Sequence, residues 1–278
     1  MLTINLWELI VAVILGIVEG LTEFAPVSST GHMIIVDELL LNSSEIFSQE
    51  VANTFKIVIQ LGSILAVVIV FKDRFKNLLG FSKEIKKNRL KPRLELKQII
   101  IGLLPAVVLG FLFEDYIDEY LFSINTVIIG LVAGAILMLA ADWLSRKGTN
   151  LETVDQITYK QAFIIGLFQC FALWPGFSRS GSTISGAVIL GLSHRAASDF
   201  TFIMAVPIML GASFLSIVKN WQYFSIELLP FFAVGFISAF IFALVSIRFF
   251  LALIGKIKLV PFAIYRILLA LIIFLVFQ

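Results

Sequence analysis

Apolar residues run through this chain in long blocks separated by short polar stretches, and the block lengths match membrane spans. A helix needs roughly 20 apolar residues to cross the hydrocarbon core. Blocks at about 51–71, 98–113, 121–144, 199–218, 229–250 and 260–277 approach or meet that length, and each predicts a transmembrane helix. Two further blocks are interrupted. The run 6–24 breaks at the polar turn 26–32 and resumes over 33–41; the run 157–174 breaks at PGFSRSGST, 175–183, and resumes over 184–192. Pro26 stops the first helix, because the residue before a proline is pushed toward extended conformations. Backbone freed at membrane depth survives only where it is buried in protein or lines a cavity. Each interrupted block therefore predicts a re-entrant helical hairpin, about 6–41 and about 157–192, and not two crossings.

The two hairpins correspond. At a constant offset of 150 residues, Gly16 matches Gly166, Glu19 matches Gln169, Ser28 matches Ser178, Thr30 matches Ser180 and Gly31 matches Gly181. The later stretch QLGSILAV from Gln60 is echoed by MLGASFLS from Met209. Three spans follow each hairpin, so an odd number of crossings separates them and they enter from opposite faces. The expected fold is an all-α polytopic membrane helix bundle, a single integral membrane domain made of two inverted-topology repeats, 1–147 and 148–278. Sites in such plans lie near the midplane, where broken helices meet.

Charge then orients the bundle. Lys72, Arg74, Lys76, Lys83, Lys86, Lys87, Arg89, Lys91, Arg93 and Lys97 crowd one loop, which the positive-inside rule places in the cytoplasm. A nucleic-acid patch is the alternative for such a cluster, but a topogenic loop between two spans accounts for it, and no nucleic-acid partner is expected. The acidic loop with Glu114, Asp115, Asp118 and Glu119 falls outside, and Arg146 and Lys147 fall inside. Composition agrees: of 278 residues, 59% are hydrophobic and 14% charged, and the mean hydropathy is +1.00, far from a soluble domain. The single cysteine, Cys170, excludes an internal disulfide framework and a cysteine-based zinc site. The first residues lack a basic n-region, so the N-terminal run is expected to be a membrane element and not a cleaved signal.

Ionisable side chains inside apolar runs are costly and mark function. Glu19 and Glu23 sit four apart, on one face of a helix. They suit a hard divalent cation, magnesium or calcium, or a division of acid and base roles; a proton relay or a structural pair is the other reading. Ser28 and Ser29 follow the helix end. A hydroxyl beside a carboxylate can become a nucleophile, and it can equally bond its own turn. His32 suits proton transfer or a phosphate oxygen, or a structural hydrogen bond. Arg179 requires an anionic partner, either a phosphate matched to its planar fork or one of the two glutamates. Ser178, Ser180, Ser182 and Thr183 surround it with hydroxyls, and Gly176 and Gly181 let backbone N–H groups approach an anion. Gln60 and Gln169 are read as bridges between helices or as substrate contacts. Trp7, Trp143, Trp174 and Trp221 read as interface or core aromatics, Lys56 as snorkelling, and Arg248 and Arg266 as snorkelling or paired and not catalytic.

The stretch EGLTEFAPVSSTGH together with PGFSRSGST resembles the bacterial undecaprenyl-diphosphate phosphatases of the bacitracin-resistance type. Both signatures of that family, E-x-x-x-E and P-G-x-S-R-S-x-x-T, are present without departure, in order, along essentially the whole chain. The resemblance implies a multi-pass enzyme of the bacterial plasma membrane that removes the terminal phosphate from a polyprenyl diphosphate, recycles the carrier for peptidoglycan synthesis and confers bacitracin resistance. It implies chemistry on the external face and dependence on a divalent cation. By motif position, Glu19 and Glu23 would serve the metal and the acid–base work, Ser29 would be the candidate nucleophile with Ser28 its neighbour, and His32, Ser178, Arg179 and Thr183 would handle phosphate. Ser180 and Gln60 join the expected diphosphate contacts. Attack by Ser29 and attack by a metal-activated water both stay open. The inverted repeat leaves a second function class in view, transport of a phosphorylated lipid carrier or small anion. A homodimer is compatible with the sequence.

Overall fold

A computed structural model describes residues 4–81, 92–121, 123–145 and 151–277. Lys83, Lys86, Lys87, Arg89 and Lys91 of the basic loop, with Arg146 and Lys147, lie outside the described residues. The chain folds as α1 (Leu6–Thr22), α2 (Ser29–Met33), a π-helical segment (Ile34–Leu41), α3 (Ser43–Ile46), α4 (Gln49–Val70), α5 (Lys72–Leu78), α6 (Leu96–Leu112), α7 (Glu114–Tyr120), α8 (Ile124–Leu144), α9 (Tyr159–Cys170), α10 (Arg179–Ile189), α11 (His194–Lys219), α12 (Leu229–Ile257) and α13 (Val260–Phe277). The described residues contain no extended sheet strand.

Five helices, α4, α8, α11, α12 and α13, are long and apolar enough to cross a membrane. The protein is a multi-pass membrane protein. The predicted span 98–113 appears as α6, 17 residues long and so about 25 Å at 1.5 Å per residue. It is shorter than the five and carries Pro105 inside it.

Both interrupted blocks fold back on themselves. Asn5 caps α1 through a capping box with Glu8, and the helix ends before Pro26. The chain then turns into α2 and the π segment, both of which touch α1. In the second block α9 tightens into a 3₁₀ turn at Phe171–Leu173, and α10 packs back on α9. Each first arm packs on a span from the other half of the sequence: α1 lies along α12, and α9 lies along α6. Glycine makes the close approach possible. A Cβ on Gly16 would stand 2.6 Å from the Gly235 carbonyl oxygen, and one on Gly166 would overlap the Gly102 carbonyl.

Cations near the spans find specific partners. Lys56, expected to snorkel, pairs instead with buried Asp37 at 2.8 Å, which ties α4 to the π segment. Arg74 binds both carboxylate oxygens of Asp155 at 2.9 and 2.7 Å. Arg248 is exposed along α12, as a snorkelling residue would be. Arg266 is fully buried, the opposite of snorkelling, and its guanidinium reaches backbone carbonyls.

Candidate active site

The tips of the two hairpins meet. Arg179 Nη2, at the first turn of α10, lies 3.0 Å from Glu23 Oε1, just past the end of α1. Both side chains are largely buried, 14% and 9% exposed, so the pair is shielded from water. Ser180 Oγ donates to the Ala25 carbonyl at 3.1 Å, a second link between the tips. The other carboxylate oxygen of Glu23 accepts from Ser29 Oγ at 2.7 Å. One carboxylate therefore holds a hydroxyl on one side and a guanidinium on the other. A hydroxyl held by a carboxylate in this way can be activated as a nucleophile. Arg179 Nη1 is buried and has no protein partner, and the guanidinium carbon stands 5.7 Å above the Phe24 ring.

Ser28 and Ser178 occupy the same unusual conformation, with φ of 72° and 70°. A residue with a Cβ pays for that region, and such strain collects at functional sites. Each serine caps the helix after it: Ser28 Oγ accepts from Gly31 N at 3.4 Å, and Ser178 Oγ from Gly181 N at 3.1 Å. The N-terminus of α10 thus points at the place where the tips join, with the partial positive charge of its first turn.

A cavity of about 270 Å³ opens there. Glu23, Ser28, Ser29, Thr30, Gln60, Ser178 and Arg179 supply its polar wall, and Trp174, Ile208 and Met209 lie on an apolar wall. A larger cavity of about 770 Å³ adjoins it, sharing Ser29, Thr30 and Gln60. It includes Glu19 and reaches Gln49, Asn53 and Lys56 on the first half of α4. Glu19 Oε1 is buried without a hydrogen-bond partner.

Most of the expected site residues converge here, and three stand apart from the cavity walls. His32 holds its tip: the Ser28 carbonyl can only accept, so Nδ1 carries the proton at 2.8 Å, and Nε2 meets the Tyr265 hydroxyl at 2.7 Å. Ser180 is spent on Ala25. Thr183 is fully buried, and its hydroxyl donates to the Arg179 carbonyl at 2.8 Å and accepts from Thr201 at 3.0 Å. Gln169, the counterpart of Glu19, is buried with no hydrogen-bond partner for its amide. Two residues emerge that the sequence did not single out, Thr30 in the wall and Tyr265 behind His32. The β-hydroxyl just after two serines was one available signal; Tyr265 carried none.

The arrangement presents a carboxylate, a hydroxyl hydrogen-bonded to it, a guanidinium with one unpartnered nitrogen and a second carboxylate in the adjoining cavity. Among the described residues, no three His, Cys, Asp or Glu side chains cluster into a self-sufficient metal cage. Glu19 nevertheless fits a hard cation, because magnesium commonly takes one or two carboxylates and completes its shell with substrate phosphate and water.

Known proteins resemble this chain over nearly its whole length. A family model described as bacitracin resistance protein BacA matches residues 12–272. An undecaprenyl-diphosphatase of Geobacillus sp. (strain WCH70) is 69% identical over 270 residues, 97% of this chain and 98% of the relative. One from Bacillus subtilis (strain 168) is 68% identical over 273 residues, 98% of this chain and 99% of the relative. One from Exiguobacterium sibiricum is 63% identical over 265 residues, 95% of each.

Proposed function

The chain belongs to the bacitracin resistance protein BacA family, and from that premise we propose how its site works. The protein is an undecaprenyl-diphosphatase. It hydrolyses undecaprenyl diphosphate to undecaprenyl phosphate and inorganic phosphate, which returns the lipid carrier to cell-wall synthesis, and the family name ties this activity to bacitracin resistance.

The observation that carries the mechanism is the chain of contacts Ser29–Glu23–Arg179, with Arg179 Nη1 buried and unpartnered. In our reading the terminal phosphoryl group of the substrate takes that open donor. Ser29 Oγ attacks the terminal phosphorus as its proton passes to Glu23. The new Ser29 O–P bond forms, the bridging P–O bond breaks, and undecaprenyl phosphate leaves as an anion. Water then attacks the phosphoserine. Ser29 recovers a proton from Glu23, Glu23 takes one from the water and releases it to solvent, and inorganic phosphate departs. Arg179 and the first turn of α10 hold the charge that spreads over the equatorial oxygens, which is the main demand of phosphoryl transfer. Glu23 is committed to Ser29 and Arg179, so Glu19 is the residue that would hold magnesium or calcium. When bound, the cation neutralises diphosphate charge. Ser28, Ser178 and Gln60 line the same cavity and suit the remaining phosphate oxygens. His32, Ser180 and Thr183 act behind them, holding the tips.

The matching torsions of Ser28 and Ser178, and the reciprocal packing of α1 on α12 and α9 on α6, support an inverted repeat. External exposure is supported by the larger cavity, which reaches the N-terminal end of α4, whereas Lys72, Arg74 and Lys76 follow its C-terminal end. Helix α4 has 22 residues, so those ends are about 33 Å apart.

Phosphate release from undecaprenyl diphosphate by purified protein in detergent tests the reading, with Ser29→Ala beside wild type. A loss of at least about 100-fold is expected for loss of the nucleophile. Substantial residual turnover would replace the phosphoserine route with direct attack by water, in which Ser29 only holds phosphate. No release by wild type, with or without magnesium or calcium, would favour transport of the lipid instead.

A further inference from the structure

Arg266 is the largest fully buried side chain described in the molecule, and the mechanism above does not use it. It stands in the middle of α13, on the face packed against α8. Its Nη2 donates to the carbonyls of Gly176 at 2.9 Å, Phe177 at 2.9 Å and Gly130 at 3.2 Å. Nη1 lies 3.5 Å from the Met138 sulfur, and Nε is buried with no partner. Its hydrogen-bond acceptors are therefore neutral, and none of the described ion pairs includes it. A guanidinium so placed in a membrane is costly. The bundle is shaped to admit it: a Cβ on Gly134 would overlap Nη2, and one on Gly181 would lie 2.9 Å from Nη1.

Two of the three carbonyls belong to the peptides directly before Phe177 and Ser178. In a trans peptide the C=O and the next N–H point in opposite directions. With the Phe177 carbonyl turned down onto Arg266, the Ser178 N–H is turned away from it. Ser178 then adopts its φ of 70°, and α10 begins with Arg179. The guanidinium thus sits under the tip that grips Glu23, and its charge adds to that of the α10 first turn.

We propose that Arg266 is a positioning residue for the diphosphatase reaction: it fixes the backbone of Gly176–Phe177 so that Ser178 and Arg179 face the transferring phosphoryl group, and it supplies unneutralised positive charge beneath them. This rests on the reading of the cavity as the diphosphate site. The proposal concerns turnover, whereas a purely structural role would concern only how much protein folds.

Arg266→Lys keeps a cation but loses the fork, and Arg266→Met loses the charge. A third variant, Gly134→Ala, leaves the charge and displaces both Nη2 and the Phe177 carbonyl that it holds. Each is purified in detergent, its folded fraction is taken from size exclusion and thermal unfolding, and kinetics are expressed per folded molecule. The expected result for Arg266→Lys and Gly134→Ala is a kcat at least 10-fold below wild type, a KM for undecaprenyl diphosphate within about 3-fold, and inhibition by orthovanadate weakened at least 10-fold. Arg266→Met is expected to lose more of each. Wild-type kcat and wild-type vanadate inhibition per folded molecule in Arg266→Lys or Gly134→Ala would overturn the proposal, even if Arg266→Met does not fold. Failure of wild type itself to release phosphate in the same assay would count against the reading of the site, and not against Arg266.

Discussion

Glu23 has two oxygens and two partners, Ser29 at 2.7 Å and Arg179 at 3.0 Å, whereas Glu19 Oε1 is buried with no hydrogen-bond partner. The two acids should therefore fail differently. Glu23→Gln removes the proton acceptor and half of the grip on Arg179, and is expected to lower kcat by about 100-fold or more at saturating magnesium, on the scale of losing a main charge stabiliser. Glu19→Gln is expected to raise the magnesium concentration for half-maximal phosphate release, with much of kcat recovered at high magnesium. A magnesium titration of both variants checks this; equal behaviour would mean the acids share one role. These residues were legible in the sequence because a charge inside an apolar run is costly wherever the run folds. Arg266 was read as snorkelling or paired, because the face of α13 it occupies depends on the space left by Gly134 and Gly181, and that is decided in three dimensions. Thr183 was expected at phosphate because it closes the motif. On a helix, however, a threonine hydroxyl can bond the carbonyl four residues back, and here that carbonyl is Arg179's, at 2.8 Å. Tyr265 lies in a helix otherwise rich in apolar residues, and only folding brings it to His32.

At the scale of elements, the site depends on how closely the hairpin arms approach the spans. Gly16 on α1 faces the Gly235 carbonyl of α12, and Gly166 on α9 faces the Gly102 carbonyl of α6. Alanine at either position forces two backbones apart, at a cost of about 1–3 kcal/mol for overpacking. Gly255, near the end of α12, would meet nothing within 4 Å. Alanine there gains helix propensity of up to about 1 kcal/mol. Thermal unfolding in detergent should show Gly16→Ala and Gly166→Ala melting below wild type and Gly255→Ala at or above it. A neutral Gly16→Ala would mean that α1 is not seated against α12 as described. The long helices and the break at Pro26 were legible because block length and a polar turn carry over directly into backbone. The π segment Ile34–Leu41 was not. Its sequence, IIVDELLL, reads as an ordinary apolar helix. The extra residue per turn appears in the bond from Asn42 N to the Asp37 carbonyl at 2.6 Å, while the Asp37 side chain pairs with Lys56 at 2.8 Å. That tertiary pair has no local signature.

At the scale of the molecule, the question is which face of the membrane the cavity serves. Basic residues are concentrated at one end of the described surface and acidic ones in α7 at the other. Lys72, Arg74 and Lys76 follow the C-terminal end of α4, and Arg93 and Lys97 stand at the start of α6. Glu114, Asp115 and Glu119 lie in α7, beyond the far end of α6. The larger cavity reaches Gln49 at the start of α4 and Ser123 at the cap of α8, on the acidic side. In the proposed reading the positive-inside rule puts the basic end in the cytoplasm, and the cavity then opens outward. Single cysteines in a Cys170→Ser background test this in intact cells. Asp115 and Lys76 are both exposed, so each replacement is accessible to reagent from its own side. A membrane-impermeant maleimide should label Asp115→Cys directly and Lys76→Cys only after permeabilisation. The reverse pattern would turn the site to the inside, where it would draw its lipid from the inner leaflet. Labelling of both without permeabilisation would mean that the basic and acidic ends share one face, which helices crossing the membrane between them cannot allow.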